Sequence, residues 1–380
     1  MSEIEFFSPG QEDIRLRNNE NEKTALIAMS GGVDSSVAAY EMVHKGYKCM
    51  GCTMRLYEND MIGADLLGTC CSIKDTEDAR QVADKLGIPY HIFHYEAEFK
   101  DKVIEPFVCS YEHGETPNPC IRCNRYLKFE SLYNKGRELG CDVIVTGHYA
   151  RIIEKNGHFY LAKAKDLNKD QSYVLYDLTE EQLKHTAFPL GEYDKTHVRE
   201  IAEQNDFVTS HKSESQDICF VPDGDYVSMI KRFRGKDYPK GDFVDKDGNV
   251  LGRHDGIINY TIGQRRGLGI PADRRLYVTK LDVENNKVIL ADNEDLFKRE
   301  LYIRDFHWIT GERPENDFRC SAKIRYRHKE QPCVVTPLDG RLARIVFDEP
   351  QRAITAGQSA VLYDGDYVLG GGIIDHVGEF

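Results

Sequence analysis

The segment TALIAMSGGVDSSVAAY, Thr24 to Tyr40, constrains the fold more than any other stretch of this 380-residue chain. TALIAM is a short apolar run of the kind that forms a strand. Ser30, Gly31 and Gly32 end it, and Asp34, Ser35 and Ser36 open a helical stretch reaching Lys45. Glycine leaves the backbone bare, so a phosphate can approach it closely. The helix N-terminus behind it offers unpaired N–H groups and the positive end of the helix dipole. The serine hydroxyls add donors. An acidic Asp34 belongs among phosphates only if it holds Mg2+ or caps backbone N–H groups. This is not a Walker A loop, because no lysine follows the second glycine, and G-x-G-x-x-G is absent.

Strand and helix patterns then alternate. YKCMGCTMRLY and PYHIFHY read as strands. DTEDARQVADKLGI reads as a helix with Asp75 as N-cap and Gly87 as its stop, and further helices are expected from Glu98 to about Glu112 and from Lys128 to Leu139. CDVIVTGHYA is a strand running into a loop. This alternation predicts a parallel sheet with helices on both faces and ligands at the carboxyl ends of its strands. RIIEKNGHFYLAKA reads as a hairpin turning at Asn156 and Gly157. Helical patterns return at Glu180 to His185 and Asp194 to Asn205. FVDKDGNVLG and VTKLDVENNKVILAD are hairpin-like, and Phe318 to Val377 carries short alternating runs that suggest a small β-barrel. The expected organisation is a disordered acidic tail over 1–22 and a nucleotide-binding catalytic domain over 23–220. A small, mainly β central domain follows over 221–290, then a C-terminal β-barrel over 291–380.

Hydrophobic residues at 41% and charged residues at 30% describe an ordinary globular composition. No run approaches the length of a membrane span, and the N-terminus has no signal or transit pattern, so a cytoplasmic location without a membrane partner is expected. Eleven cysteines, an odd number in a long chain, argue against a disulfide framework. A net charge of −13 counts against nucleic-acid binding by the surface as a whole. Local clusters count the other way: IKRFRGK, GQRRGLG and KIRYRHK all fall in the second half of the chain and fit a shared anionic partner.

S-G-G-x-D-S-S resembles the pyrophosphate loop of the ATP pyrophosphatase (PP-loop) superfamily, whose members split ATP between the α and β phosphates and activate an oxygen as an adenylate. TPNPCIRCNRYLKF, VTGHYAR, KDQSYVLY, SESQDICFV, YTIGQRRGLGI, KIRYRHK and AGQSAVLYDGDYVLGGG follow in that order. Together they resemble the tRNA-specific 2-thiouridylase family from about Thr24 to Val377. The resemblance implies an adenine nucleotide alpha-hydrolase-like α/β domain with a parallel sheet, then a mainly β central domain and a C-terminal β-barrel. It implies ATP-dependent 2-thiolation of the wobble uridine of tRNA, with ATP and Mg2+ as cofactors. The implied partners are tRNA and a sulfur-donor protein, either a cysteine desulfurase or a sulfur relay protein.

Residue by residue, the resemblance assigns Ala28, Met29, Ser30, Gly31, Gly32, Val33, Asp34, Ser35, Ser36, Met54 and Gly147 to ATP. It assigns Asn118, Pro119 and Cys120 to the target base. His148, Lys169, Asp170, Gln171, Arg325, Tyr326 and Gln358 fall to tRNA. Cys219 carries the transferable sulfur as a persulfide, and Cys123 attacks it, leaving the pair as a disulfide. Uridine C2 is a poor electrophile until its oxygen becomes a leaving group, and a bound persulfide supplies sulfur at high effective concentration. Breaking its S–S bond takes a second thiolate. The two Cα atoms must then come within about 4.4–6.8 Å of each other. Both cysteines are expected on loops, one of which moves.

Position 120 departs from the family pattern, which is Asp-x-x-Cys after Asn-Pro; here it reads Cys120-Ile121-Arg122-Cys123. A thiol does not replace a carboxylate in proton transfer at neutral pH unless its pKa is lowered. Cys120, Cys123 and Cys219 also make an alternative set, three thiolates for an iron–sulfur cluster. Another adenylating ligase of the superfamily is the alternative enzyme class. Lys212 is the candidate cation to offset Asp217 near Cys219. Cys49 and Cys52 are set aside as a metal pair, because residues three apart on a strand face opposite ways.

Overall fold

The computed structural model describes residues 13–14, 23–57, 73–213, 218–221, 224–310 and 313–378. Most of the expected tail over 1–22, and Asp217, lie outside the described residues. A short strand β1 (Asp13–Ile14) precedes β2 (Thr24–Ala28), β3 (Lys48–Arg55), β4 (Tyr90–His94) and β5 (Val143–Val145). The hairpin β6 (Ala150–Lys155) and β7 (His158–Lys163) comes next, then β8 (Thr186–Ala187). The order β4-β3-β2-β5-β8 makes one sheet, parallel throughout. Its central strand β2 buries Ala25, Leu26 and Ile27 completely.

Two apolar clusters cover the two faces of this sheet. On one face Ala25 and Ile27 meet Val37 and Met42 of helix Val33–His44 and Val82 of helix Ile73–Lys85. On the other, Leu26 meets Phe99, Val103 and Phe107, from the helical run over 96–112, and Leu127. Cys49 belongs to the first cluster and Cys52 to the second, as strand alternation requires. The helix Ile73–Lys85 holds Asp75 inside its first turn rather than at its cap, and Gly87 ends it at φ +68°.

The C-x-x-C segment is helical, not a loop. Asn118 is the N-cap, its side chain accepting the Cys120 N–H at 3.1 Å, and Pro119 takes the first helical position, where no N–H is needed. The helix continues through a π-helical stretch, Cys123–Ser131, into Leu132–Glu138. The Gln182 amide donates to the carbonyls of Phe129 (3.0 Å) and Arg125 (3.4 Å), so this wide turn is tied from outside.

The central sheet consists of β9 (Gly241–Val244), β10 (Val250–His254), β11 (Tyr277–Asp282) and β12 (Lys287–Ala291), in the order β10-β9-β12-β11. The last strands are β13 (Phe297–Trp308), β14 (Phe318–Lys323), β15 (Gln331–Pro337), β16 (Ala343–Arg352), β17 (Ser359–Asp364) and β18 (Tyr367–Val377). They form a closed barrel, because β18 pairs with both β13 and β17. The hairpin turns at Asn156 (φ +55°) and Gly157 (φ +81°), the left-handed pair that a two-residue turn demands. Its strand β7 then pairs with β18, so a hairpin expected in the catalytic domain extends the barrel's sheet. No helix among the described residues is long and apolar enough to cross a membrane.

An ion cluster joins the first and central units. Arg234 reaches Glu105 (2.7 Å) and Glu112 (3.0 Å), and Lys236 and Tyr238 also bond Glu112. Burial alone would raise the Glu112 carboxyl; hydrogen bonds from Tyr238, Lys236 and Arg234 outweigh it and bring it down to about 2. The depressed value makes the contribution fully present above the ordinary carboxylate value of 4.5 and lost as pH falls toward 2. Glu112→Gln is expected to lower stability by about 1–2 kcal/mol at pH 7. Thermal melts should show that gap closing between pH 4.5 and 2; a gap independent of pH would refute the assignment.

Candidate active site

The candidate phosphate loop is held in shape by its own hydroxyls. Ser35 Oγ accepts the Ser30 N–H (3.1 Å) and donates to the Gly32 carbonyl (3.0 Å), to which Ser36 Oγ also donates (2.9 Å). Gly32 stands at the N-cap and, having no side chain, makes no side-chain cap bond to the first-turn N–H groups. Gly31 stands at φ +73°, and a Cβ there would lie 2.2 Å from the Asp75 carbonyl oxygen. Met29 and Met54 at the strand ends are buried. Met29 N–H donates to the Cys52 carbonyl (2.7 Å), which fixes the loop to β3.

Two lysines complete the loop. Lys195 donates to Asp34 Oδ1 at 2.6 Å, and the Tyr149 hydroxyl donates to the same oxygen at 2.8 Å. Lys212 donates to the Gly31 carbonyl (2.8 Å) and pairs with Asp75 (2.7 Å) and Asp78 (2.5 Å). Burial would lower the Lys212 ammonium, but these carboxylates outweigh it and raise it. Lys212 therefore braces this loop and ties it to Asp75 and Asp78, while Asp217, which it was expected to offset, lies outside the described residues. Lys195 and Tyr149 escaped the sequence reading. A signal for Lys195 was available: it opens the helix Lys195–Gln204, where a cation opposes the helix dipole and needs another reason to be there.

Gly147, two residues past the end of β5, lies against this loop. A Cβ there would meet the main chain of Asp34 and Ser35 at 2.8 Å. His148 is buried at 9% exposure between Phe129 and Phe188, with Nδ1 2.7 Å from Thr146 Oγ1. Burial, with Lys128 adding to it, holds its imidazole well below the usual range, so it is neutral at pH 7. His148 faces no open surface in this conformation.

Several of the tRNA-assigned residues are held by main-chain bonds. Gln171 and Tyr149 exchange two bonds, Gln171 N–H to the Tyr149 carbonyl (2.8 Å) and Tyr149 N–H to Gln171 Oε1 (3.0 Å). Asp170 accepts from Ala164 and Ser172, and Lys169 beside it is half-buried. Arg325 bonds the Ala353 carbonyl at 2.9 Å and the Thr355 hydroxyl. Tyr326 is exposed, with Lys323 over its ring. Gln358 donates to the Thr116 carbonyl at 2.7 Å, and Thr116 N–H donates to Ala356. The barrel thus sets the segment that leads into Asn118 and Pro119.

Cys123 is buried and Cys219 half-buried; both pack in the apolar cluster that holds Met54, and neither is in a disulfide. Burial raises the Cys123 thiol, with Lys128 pulling the other way. Cys120 is exposed on the helix. Among the described residues no three His, Cys, Asp or Glu side chains gather as a metal site, so Cys120, Cys123 and Cys219 do not fit a cluster here.

Three family models match in series between residues 23 and 374. They are the tRNA methyl transferase HUP domain over 23–223, the tRNA methyl transferase PRC-barrel domain over 228–292, and the aminomethyltransferase beta-barrel domain over 298–374. A tRNA-specific 2-thiouridylase MnmA of Clostridioides difficile is 48% identical, covering 93% of this chain and 98% of its own. Those of Clostridium acetobutylicum (47%; 93% and 99%) and Acetivibrio thermocellus (46%; 93% and 99%) are similar to the same extent. Identity at this level over nearly the full length of both chains establishes descent: the chain belongs to the tRNA-specific 2-thiouridylase family.

Proposed function

We propose that this chain is an ATP-dependent tRNA uridine 2-sulfurtransferase acting on the wobble uridine. The observation that carries the reading is the uncapped helix N-terminus behind Gly31 and Gly32, built for phosphate, in a chain of this family. The loop from Ala28 to Ser36 takes the triphosphate, and Met54 borders the adenine. Lys195 and Tyr149 both bond Oδ1 of Asp34, and this carboxylate would hold Mg2+, which would neutralise phosphate charge there. Lys195 and Tyr149 hold that carboxylate in place.

The uridine C2 oxygen attacks the α-phosphate and pyrophosphate leaves. The terminal sulfur of a Cys219 persulfide then bonds C2 as AMP departs with the former C2 oxygen. The Cys123 thiolate attacks the Cys219 sulfur, so the S–S bond to the transferred sulfur breaks and a Cys123–Cys219 disulfide remains. A thiol reductant restores the pair. The persulfide comes from a sulfur-donor protein, a cysteine desulfurase or a relay. Asn118, Pro119, Lys169, Tyr326 and Gln358 border the tRNA, and Cys120, exposed beside them, stands where the family carries aspartate.

The test is a reaction of purified protein, unmodified tRNA, ATP and a persulfide source. It should yield 2-thiouridine with one AMP and one pyrophosphate per product. Because burial raises the Cys123 thiol above its ordinary value of 9.0, the single-turnover rate should climb about tenfold per pH unit from 7 and show no plateau by pH 9. Neither 2-thiouridine nor pyrophosphate under these conditions would sink the proposal.

A further inference from the structure

Cys219 is held by its main chain. Tyr57, just past the carboxyl end of β3, is buried at 3% exposure, and its hydroxyl donates to the Cys219 carbonyl at 2.7 Å. The Tyr57 ring lies 5.9 Å from Phe99. Phe99 in turn meets Phe220 edge-on at 5.6 Å, and Phe107 meets Phe220 at 5.2 Å. Phe220 and Val221 are buried, and Val221 N–H closes a turn onto the Ile218 carbonyl at 2.8 Å. Withdrawing Phe220 from that aromatic nest would expose a ring that is now buried. The chain around Cys219 is therefore pinned on its C-terminal side by Phe220 and at its own carbonyl by Tyr57, while the residue stays half-buried. Any approach of Cys219 to Cys123 turns about this pivot.

We infer that Tyr57 is a positioning residue for sulfur transfer: its phenol fixes the Cys219 main chain and so aims the sulfur. The inference rests on Cys219 as the persulfide carrier. Tyr57→Phe removes the hydroxyl and keeps the ring against Phe99, so packing is preserved. With protein preloaded by a cysteine desulfurase and cysteine, single-turnover thiolation should fall about 5- to 10-fold. The KM values for ATP and tRNA, and the rate of tRNA-dependent pyrophosphate release, should stay within about twofold. Alkylation of Cys219 by iodoacetamide in the folded variant, followed by peptide mass spectrometry, should speed up. Unchanged thiolation and alkylation would overturn the inference. So would equal losses in both half-reactions together with a lower Tm, which would make Tyr57 purely structural. Cys219→Ser run in parallel separates the two ideas: a thiolating Cys219→Ser protein removes the persulfide carrier itself, whereas an inactive one beside an unimpaired Tyr57→Phe removes only Tyr57.

Discussion

Cys219→Ser is expected to lose thiolation by on the order of 10³-fold or more while releasing pyrophosphate from ATP and tRNA at close to the normal rate. A serine hydroxyl cannot carry a sulfur atom through an S–S bond, so the loss is chemical rather than conformational. The exchange is nearly isosteric at a half-buried position, and Phe220, Val221 and Tyr57 keep their places around it. The loop over Ala28 to Ser36 is braced by Lys195 on Asp34 and by Lys212 on the Gly31 carbonyl. Adenylation should therefore continue and stall before sulfur arrives. Parallel assays of 2-thiouridine and pyrophosphate decide it. A matching collapse of pyrophosphate release would mean that Cys219 serves adenylation or the fold, and the persulfide assignment would fall.

The second large effect is expected at Gly147. An alanine Cβ there would stand 2.8 Å from the Asp34 carbonyl carbon and the Ser35 nitrogen. Both are backbone atoms at the first turn of the phosphate-facing helix, so no flexible side chain can swing aside. Either β5 or the helix N-terminus must shift, at about 1–3 kcal/mol of overpacking strain. A shift approaching 1 Å in groups that align a reaction costs about 10²-fold in rate. Gly147→Ala should accordingly drop kcat/KM for ATP about 10²-fold and lower Tm modestly. Pyrophosphate-release kinetics with tRNA present, alongside thermal melts, measure both. Normal ATP kinetics would show that the loop tolerates displacement and that this contact is incidental.

The legible parts of the sequence were those with local causes. Ser30 to Ser36 announced the strand–loop–helix unit, since an apolar run, two glycines and a helix opener are adjacent in the chain. The Asn156–Gly157 hairpin was equally local, and the opposite facings of Cys49 and Cys52 followed from strand alternation. The helix at Cys120 and Cys123 was misjudged because Asn118-Pro119 resembles a turn; the same pair is also an N-cap followed by a first-position proline. That helical setting places Cys123 on a regular element, the π-helical stretch Cys123–Ser131. The ties made by Tyr57, Lys195 and Lys212 join residues far apart in the sequence, and no periodicity marks them. Lys212 is an example: its partners Asp75 and Asp78 lie more than 130 residues away in the chain.

The pairing of β7 with β18 has a consequence for how this protein is made. Ala162 faces Tyr367, 205 residues later (367 − 162), and Leu161 faces Val368. A ribosome adding about 5–20 residues per second delivers the second strand roughly 10–40 s after the first. For that interval the growing chain carries the hairpin with one edge unpaired, the arrangement most prone to recruiting a wrong strand. Completion of the sheet waits for β18 to emerge, so the hairpin cannot finish its pairing together with the domain that precedes it in the chain.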